Sequence, residues 1–312
     1  MNQRIIRITA GILAVILLII VIPFVINTIL GSNNKKEDLQ IRLHMGNNDI
    51  ETLPLEEYIV GVVAAEMPAV FEPEALKAQA IAARTYVLKR KNETSSSKIF
   101  DVDTTEKTQV WISTQEMIKK WGIINYWKYH SKISRAVDST QGMALTYNGQ
   151  LIDAVYHSSS GRKDTERSSE VWSSDVGYLI NVPSGEVNTL RFVKYVSFDV
   201  NTFFKLLEFQ QIPKQFSSND LVVLERTKAG RVKTLAIKNR IYTGTDFRTK
   251  LQLPATDFEW KISGDKIELM VYGNGHGVGM SQYGANDLAK AGKGYKEILA
   301  HYYQGIKINK IT

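Results

Sequence analysis

Hydrophobic residues along this chain change their spacing several times, and each change marks an element. Ile8–Leu30 is a nearly continuous apolar run without a charge. A bilayer core takes about 20 such residues, so the run is expected to be a transmembrane helix. Arg4 and Arg7 precede it, which predicts a cytoplasmic N-terminus. The run is longer than a signal-peptide core, and Asn27–Gly31 is a poor cleavage signal. An uncleaved single-pass anchor over 1–31 is therefore expected, then a polar linker over 32–40 and an extracytoplasmic domain over 41–312.

Within that domain, Leu55–Lys91 reads as two helices broken at Met67-Pro68. Pro54 suits a helix start, and Tyr58, Val62 and Ala65 recur at near-helical spacing. Pro68 disfavours the α region for the residue before it, so the first helix ends at or before Met67. Pro73 opens the second, whose alanines at 75, 78, 80, 82 and 83 let other backbone approach closely. Residues 41–53 suggest a strand and a turn, and 114–138 a helix broken around Gly122–Asn125. Asn148-Gly149 between two apolar runs predicts a hairpin of Gly142–Tyr147 with Gln150–His157, which would carry Tyr156 and His157 to its far end. Residues 165–190 are polar and loop-like. Phe192–Phe198 reads as a strand, and Asp199 as the cap of a helix through Phe209. Hairpins are expected over Leu221–Lys238 and Phe258–Tyr272, with a short helix from Asp246 between them. Ser281 is expected to cap a helix ending at Gly292. Tyr295, Ile298, Leu299 and Tyr302 mark a last helix, closed by Gly305. Unequal helices interleaved with hairpins predict an α+β domain with a binding groove rather than a regular βαβ array.

The 312 residues are 44% hydrophobic, ample for a core, and carry a net charge of +7. The basic residues are scattered and match no nucleic-acid module, so no nucleic-acid partner is expected. The chain has no cysteine, which excludes disulfides and thiolate metal sites.

Glu66 is the anomaly in the pattern. It closes the apolar run Val62–Ala65 just before a helix break. A poorly solvated carboxyl group favours its neutral form and can serve as a general acid. The plain alternative is a solvated helix-end residue or a cap for the next helix. In GNGHGVGMSQYGA, an extended chain would place Gly273, Gly275, Gly277 and Gly279 on one face. Such a face admits either a ligand or the alanine-rich helix.

EEYIVGVVAAEMP followed by EALKAQAIAARTY, with YHSSSG at 156–161 and GHGVGMSQYGA at 275–285, resembles the stage II sporulation protein D family. The resemblance covers roughly residues 40–308. It implies a membrane-anchored lytic transglycosylase that cuts peptidoglycan between N-acetylmuramic acid and N-acetylglucosamine. The implied catalytic residue is Glu66. Arg84, Tyr86, Tyr156, His157, Ser158, Ser160, His276 and Gln282 are the implied substrate-binding residues. Strands already stripped of stem peptides are the implied substrate. A cell-wall amidase or endopeptidase and a membrane scaffold are the implied partners, at the engulfing membrane of a sporulating cell. The family also holds an enhancer of a cell-wall amidase, which keeps open a non-catalytic glycan-binding module.

Two histidines in these motifs suit sugar hydroxyls or the positioning of Glu66. Nothing like H-E-x-x-H supports zinc at His157 and His276, and no metal or cofactor is expected. Ser160–Lys163 matches S-x-x-K, yet the Lys-Thr-Gly strand of that chemistry is missing. Arg162 stands where the family usually has a glycine, so its side chain could narrow the groove. Asp153 is the best candidate for a second carboxylate.

Overall fold

In the computed structural model, the residues described are 39–311, apart from 47, 48, 94–98, 106, 107, 173, 214 and 215, together with Leu17, Val21 and Ile22. The expected anchor Ile8–Leu30 otherwise lies outside the described residues. Among those described, no helix is long and apolar enough to cross a membrane. Residues Ile41–Thr312 form one compact unit of mixed helices and strands.

The helix Pro73–Glu93 is the axis of the first of two cores in this unit. Its five alanines at 75, 78, 80, 82 and 83 are fully buried. Because buried alanines occupy several of its faces, other elements can pack around it. Leu55–Glu66, Thr114–Asp138, the strand Met143–Tyr147 and the C-terminal helices Gln282–Lys290 and Tyr295–Tyr302 all pack on it. Thr114–Asp138 starts on a Ser113–Glu116 capping box and breaks at Gly122, whose φ is 74°.

Asn148 and Gly149 take φ of 51° and 81°, the double left-handed turn that joins Met143–Tyr147 to Gln150–Leu151. The returning strand is shorter than expected, because it ends at Leu151. Tyr156–His157 instead pairs in parallel with Met280–Ser281. A third strand absent from the sequence reading, Lys307–Lys310, covers the outer side of Met143–Tyr147.

The second core lies between two small sheets. One orders Asp257–Ser263, Lys266–Tyr272 and Val193–Asp199; the other orders Arg240–Thr243, Val232–Ile237 and Leu221–Arg226. Phe203, Phe204, Phe247 and Phe258 fill the space between them. Asp199 caps Val200–Leu206 through the Thr202 N–H, and that helix stops a residue short of Leu207, well before Phe209.

Two ion pairs tie the second core to the Ser-rich loop. Arg231 and Glu166 are buried 3.0 Å apart, and Arg231 also donates to the Ser160 carbonyl. Arg162 donates twice to buried Asp257 and stacks 3.6 Å from the Tyr272 ring centre. Arg162 therefore braces the two parts of the fold instead of narrowing a groove.

Candidate functional site

Glu66 is the last residue of its helix. Met67 is extended because Pro68 follows, and its N–H closes the helix on the Val63 carbonyl at 3.0 Å. The break lifts the half-buried Glu66 side chain onto the wall of a cleft of about 590 Å³. Oε1 accepts a hydrogen bond from the Val110 N–H at 3.0 Å. Lys120 donates to the Ala64 carbonyl at the same helix end, where the dipole favours a cation.

Seven of the expected site residues line this cleft: Glu66, Tyr86, Tyr156, His157, Ser158, His276 and Gln282. Beside Glu66 runs a relay of neutral donors. Tyr58 donates to Gln109 Oε1 at 3.2 Å, and Gln109 Nε2 donates to the Tyr156 hydroxyl at 3.0 Å. Burial, reinforced by the Glu66 charge, pushes the Tyr156 hydroxyl well above its ordinary pKa, so it stays protonated.

His157 is held from both sides. Its Nδ1 lies 3.1 Å from the Val278 carbonyl, which requires the proton there. Nε2 then accepts from the Ser160 hydroxyl at 2.7 Å. Burial, followed by the neighbouring His276 and Arg231, holds its pKa well below the usual value, so the ring is neutral. His276 Nδ1 accepts from the Val278 N–H at 3.1 Å, which places its proton on Nε2. Burial and then Arg248 bring its pKa down to about 4. Its ring contacts Trp172, 5.2 Å between centres.

Two expected residues stand back from the cleft. Arg84 is fully buried, binding Glu56 through Nε and Nη2 and the Met143 carbonyl through Nη1. A helix with packing on every side puts this face in the core, away from Glu66. Ser160 is buried behind His157. Lys163 turns towards Gly230, so the S-x-x-K match brings no lysine to the serine. Asp153 pairs with Lys89 and lies outside the cleft. Among the described lining residues, Glu66 is the one acid. No group of three metal-ligating side chains gathers among the described residues.

The glycine run is not the expected extended strand, because all four glycines have φ between 72° and 115°. They meet the backbone of 155–161 and the Glu166–Arg231 pair instead of the alanine-rich helix. A Cβ on Gly279 would sit 2.1 Å from the Val155 carbonyl, and one on Gly275 2.6 Å from His157 Cβ. This close approach carries His157 and His276 into one site. Glu186, in the stretch read as a loop, supplies the missing brace. It accepts from Ser159 Oγ and the Ser160 N–H, both at 2.5 Å, and from Ser281 Oγ at 2.8 Å. Gln109, Trp172, Arg248 and Glu186 carried no periodic or motif signal in the sequence.

The Stage II sporulation protein family profile matches residues 44–147. Stage II sporulation protein D of Bacillus subtilis is 42% identical over 270 residues, spanning 85% of this chain and 77% of the relative. The protein of the same name from Bacillus amyloliquefaciens is also 42% identical, over 85% of this chain and 76% of its own length. A Bacillus subtilis protein named Amidase enhancer is 31% identical over 78% of this chain, a match that spans 39% of the relative. With three motifs meeting around one cleft and such identity along most of its length, this chain belongs to the stage II sporulation protein D family.

Proposed function

We propose that the protein is a peptidoglycan lytic transglycosylase, and the observation that carries this reading is that Glu66 is the single carboxylate among the described residues lining the cleft. Most glycosidases use two carboxyl groups, one as acid and one as base or nucleophile. A transglycosylase needs one, because the attacking group belongs to the substrate. The Glu66 carboxyl group gives its proton to the glycosidic oxygen as the bond from muramic acid C1 breaks. The C6 hydroxyl of the same ring then attacks C1 and returns a proton to Glu66. Internal attack removes the need for an activated water and makes proximity a large part of the rate. The protonated Tyr156, the neutral histidines and the ring of Trp172 line the same cleft and supply hydrogen-bonding groups and an apolar face.

In this reading Ile8–Leu30 anchors the chain with residues 41–312 outside the cytoplasm, remodelling the septal wall of a sporulating cell beside an amidase and a membrane scaffold. The test is Glu66→Gln, which should keep fold and glycan binding while losing cleavage by about 100-fold or more. Wild type acting on stem-free strands should leave 1,6-anhydro-N-acetylmuramic ends, one water lighter than hydrolytic ends by mass spectrometry. Reducing ends alone would leave a glycosidase and remove the transglycosylase. The relative named Amidase enhancer supports a second reading, a non-catalytic glycan-binding partner of a cell-wall amidase. Purified protein that binds strands, cuts none, and accelerates an added amidase would establish that one.

A further inference from the structure

The helix Thr114–Asp138 carries a surface that its core contacts do not explain. Past the break at Gly122, Tyr126, Ile133 and Val137 recur at helical spacing and are buried. The opposite side of the same turns carries Ile124, Trp127, Lys128, Ser131 and Arg135. A face left to water is expected to be polar throughout, and the last three of these residues are. At the start of the face, however, Ile123, Ile124 and Trp127 are 64%, 87% and 70% exposed. Single exposed apolar residues are ordinary, but these three sit together at one corner of the fold and make a patch. Trp127 continues it into a groove of about 760 Å³, whose described lining also holds Lys77, Lys128, Lys132 and Arg135 and no acid. Not all of this charge is free: Lys77 pairs with Glu74, and Lys132 donates to the Phe71 carbonyl and lies near Glu72. Lys128 has no acidic partner among the described residues, and the Arg135 guanidinium bonds only the neutral Ser131 hydroxyl there, at 2.9 Å.

Isoleucine and tryptophan gain by leaving water, and the cations beside them attract negative charge. A soluble polyanion would answer the cations and leave Ile123 and Ile124 in water. A second copy of the same surface would bring like charges together. An anionic bilayer answers both needs. Indole favours the interface and isoleucine the acyl layer, while lysine and arginine stems lie along the apolar boundary with their charges at the headgroups. We propose that Ile123, Ile124 and Trp127 enter the surface of an anionic bilayer while Lys128 and Arg135 bind its phosphate headgroups. Lys120, just before the Gly122 break, reaches the Ala64 carbonyl beside Glu66, so this corner of the fold begins next to the cleft. Docking there would hold the cleft close to a membrane. The inference rests neither on what the cleft binds nor on Ile8–Leu30 being an anchor.

The chain has no cysteine, so Ile124→Cys gives a single site for a nitroxide label, which is itself apolar. The full-length protein is reconstituted with vesicles of equal parts phosphatidylglycerol and phosphatidylcholine, and with vesicles of phosphatidylcholine alone. Power-saturation electron paramagnetic resonance compares collisions of the label with oxygen, which concentrates in the acyl layer, and with a water-soluble nickel chelate. Oxygen contact should dominate on the anionic vesicles and nickel contact on the neutral ones. Lys128→Gln/Arg135→Gln in the labelled protein should shift the balance between inserted and free label about 30-fold towards water. Both positions are exposed, so the fold should persist. A label that stays in water on both kinds of vesicle overturns the proposal. So does equal insertion into both, or insertion that the double variant keeps. Immobilisation of the label by dissolved polyphosphate, with water contact kept on every vesicle, would assign the surface to a soluble polyanion and also overturn it.

Discussion

Arg84 belongs to the motif yet lies in the core, so its replacement should cost stability and spare the cleft. Arg84→Met keeps the length and apolar stem but removes the guanidinium. That side chain is 0% exposed, and its partner Glu56 is 22% exposed. Removing one member of a buried ion pair costs about 3–5 kcal/mol. Water can partly resolvate Glu56, which moves the figure towards the lower end. The Met143 carbonyl also loses a donor at 3.1 Å, which offsets part of that relief. A loss of about 3 kcal/mol should lower the melting temperature by roughly 6–12 °C in a domain of this size. Adding Glu56→Gln removes the stranded negative charge and should raise the melting temperature above that of the single variant. Thermal melts of the two variants and wild type give the stability. Glycan binding well below the transition gives the function, and it should match wild type. A variant that melts within about 2 °C of wild type but no longer binds glycan would refute the placement and return Arg84 to the groove.

Other outcomes follow from single contacts. Gly279→Ala puts a side chain at φ 72° and 2.1 Å from the Val155 carbonyl. It should destabilise by about 2 kcal/mol or more, read by denaturant unfolding; a neutral effect would mean that this backbone moves freely. His157 and His276 have pKa values depressed below 6.5 in the folded state, the latter to about 4. The unfolded chain therefore binds more protons between those values, and stability should fall as pH drops from 6.5 towards 4. His276→Gln should flatten that slope in denaturant titrations at several pH values, and an unchanged slope would count against the neutral ring. Trp172 is 37% exposed beside His276. Trp172→Ala should weaken glycan binding about five- to tenfold with little change in melting temperature, and an unaltered affinity would remove it from the binding surface.

Local patterns in the sequence determined most of the elements. Pro68 ended the first helix at Glu66, alanines made the second one core, Ser113, Asp199 and Ser281 capped helices, and Asn148-Gly149 made its turn. Each of these is a contest between a residue and its chain neighbours, so a few positions of sequence contain it. The motifs likewise named seven residues that meet in one cleft. What they could not contain was the side each residue faces once distant segments close on it. Arg84 and Tyr86 are two positions apart on one helix, yet one binds Glu56 in the core and the other lines the cleft. Tyr156 and His157 left their hairpin because parallel pairing with Met280–Ser281 was available, and His157 found its carbonyl partner 121 residues away. Glu66 meets the Val110 N–H 44 residues on, Glu186 braces a serine loop from within a featureless polar stretch, and Arg248 arrives from the second core. Such contacts depend on how whole elements pack, and packing is decided by shape and buried charge across the domain rather than by spacing along the chain.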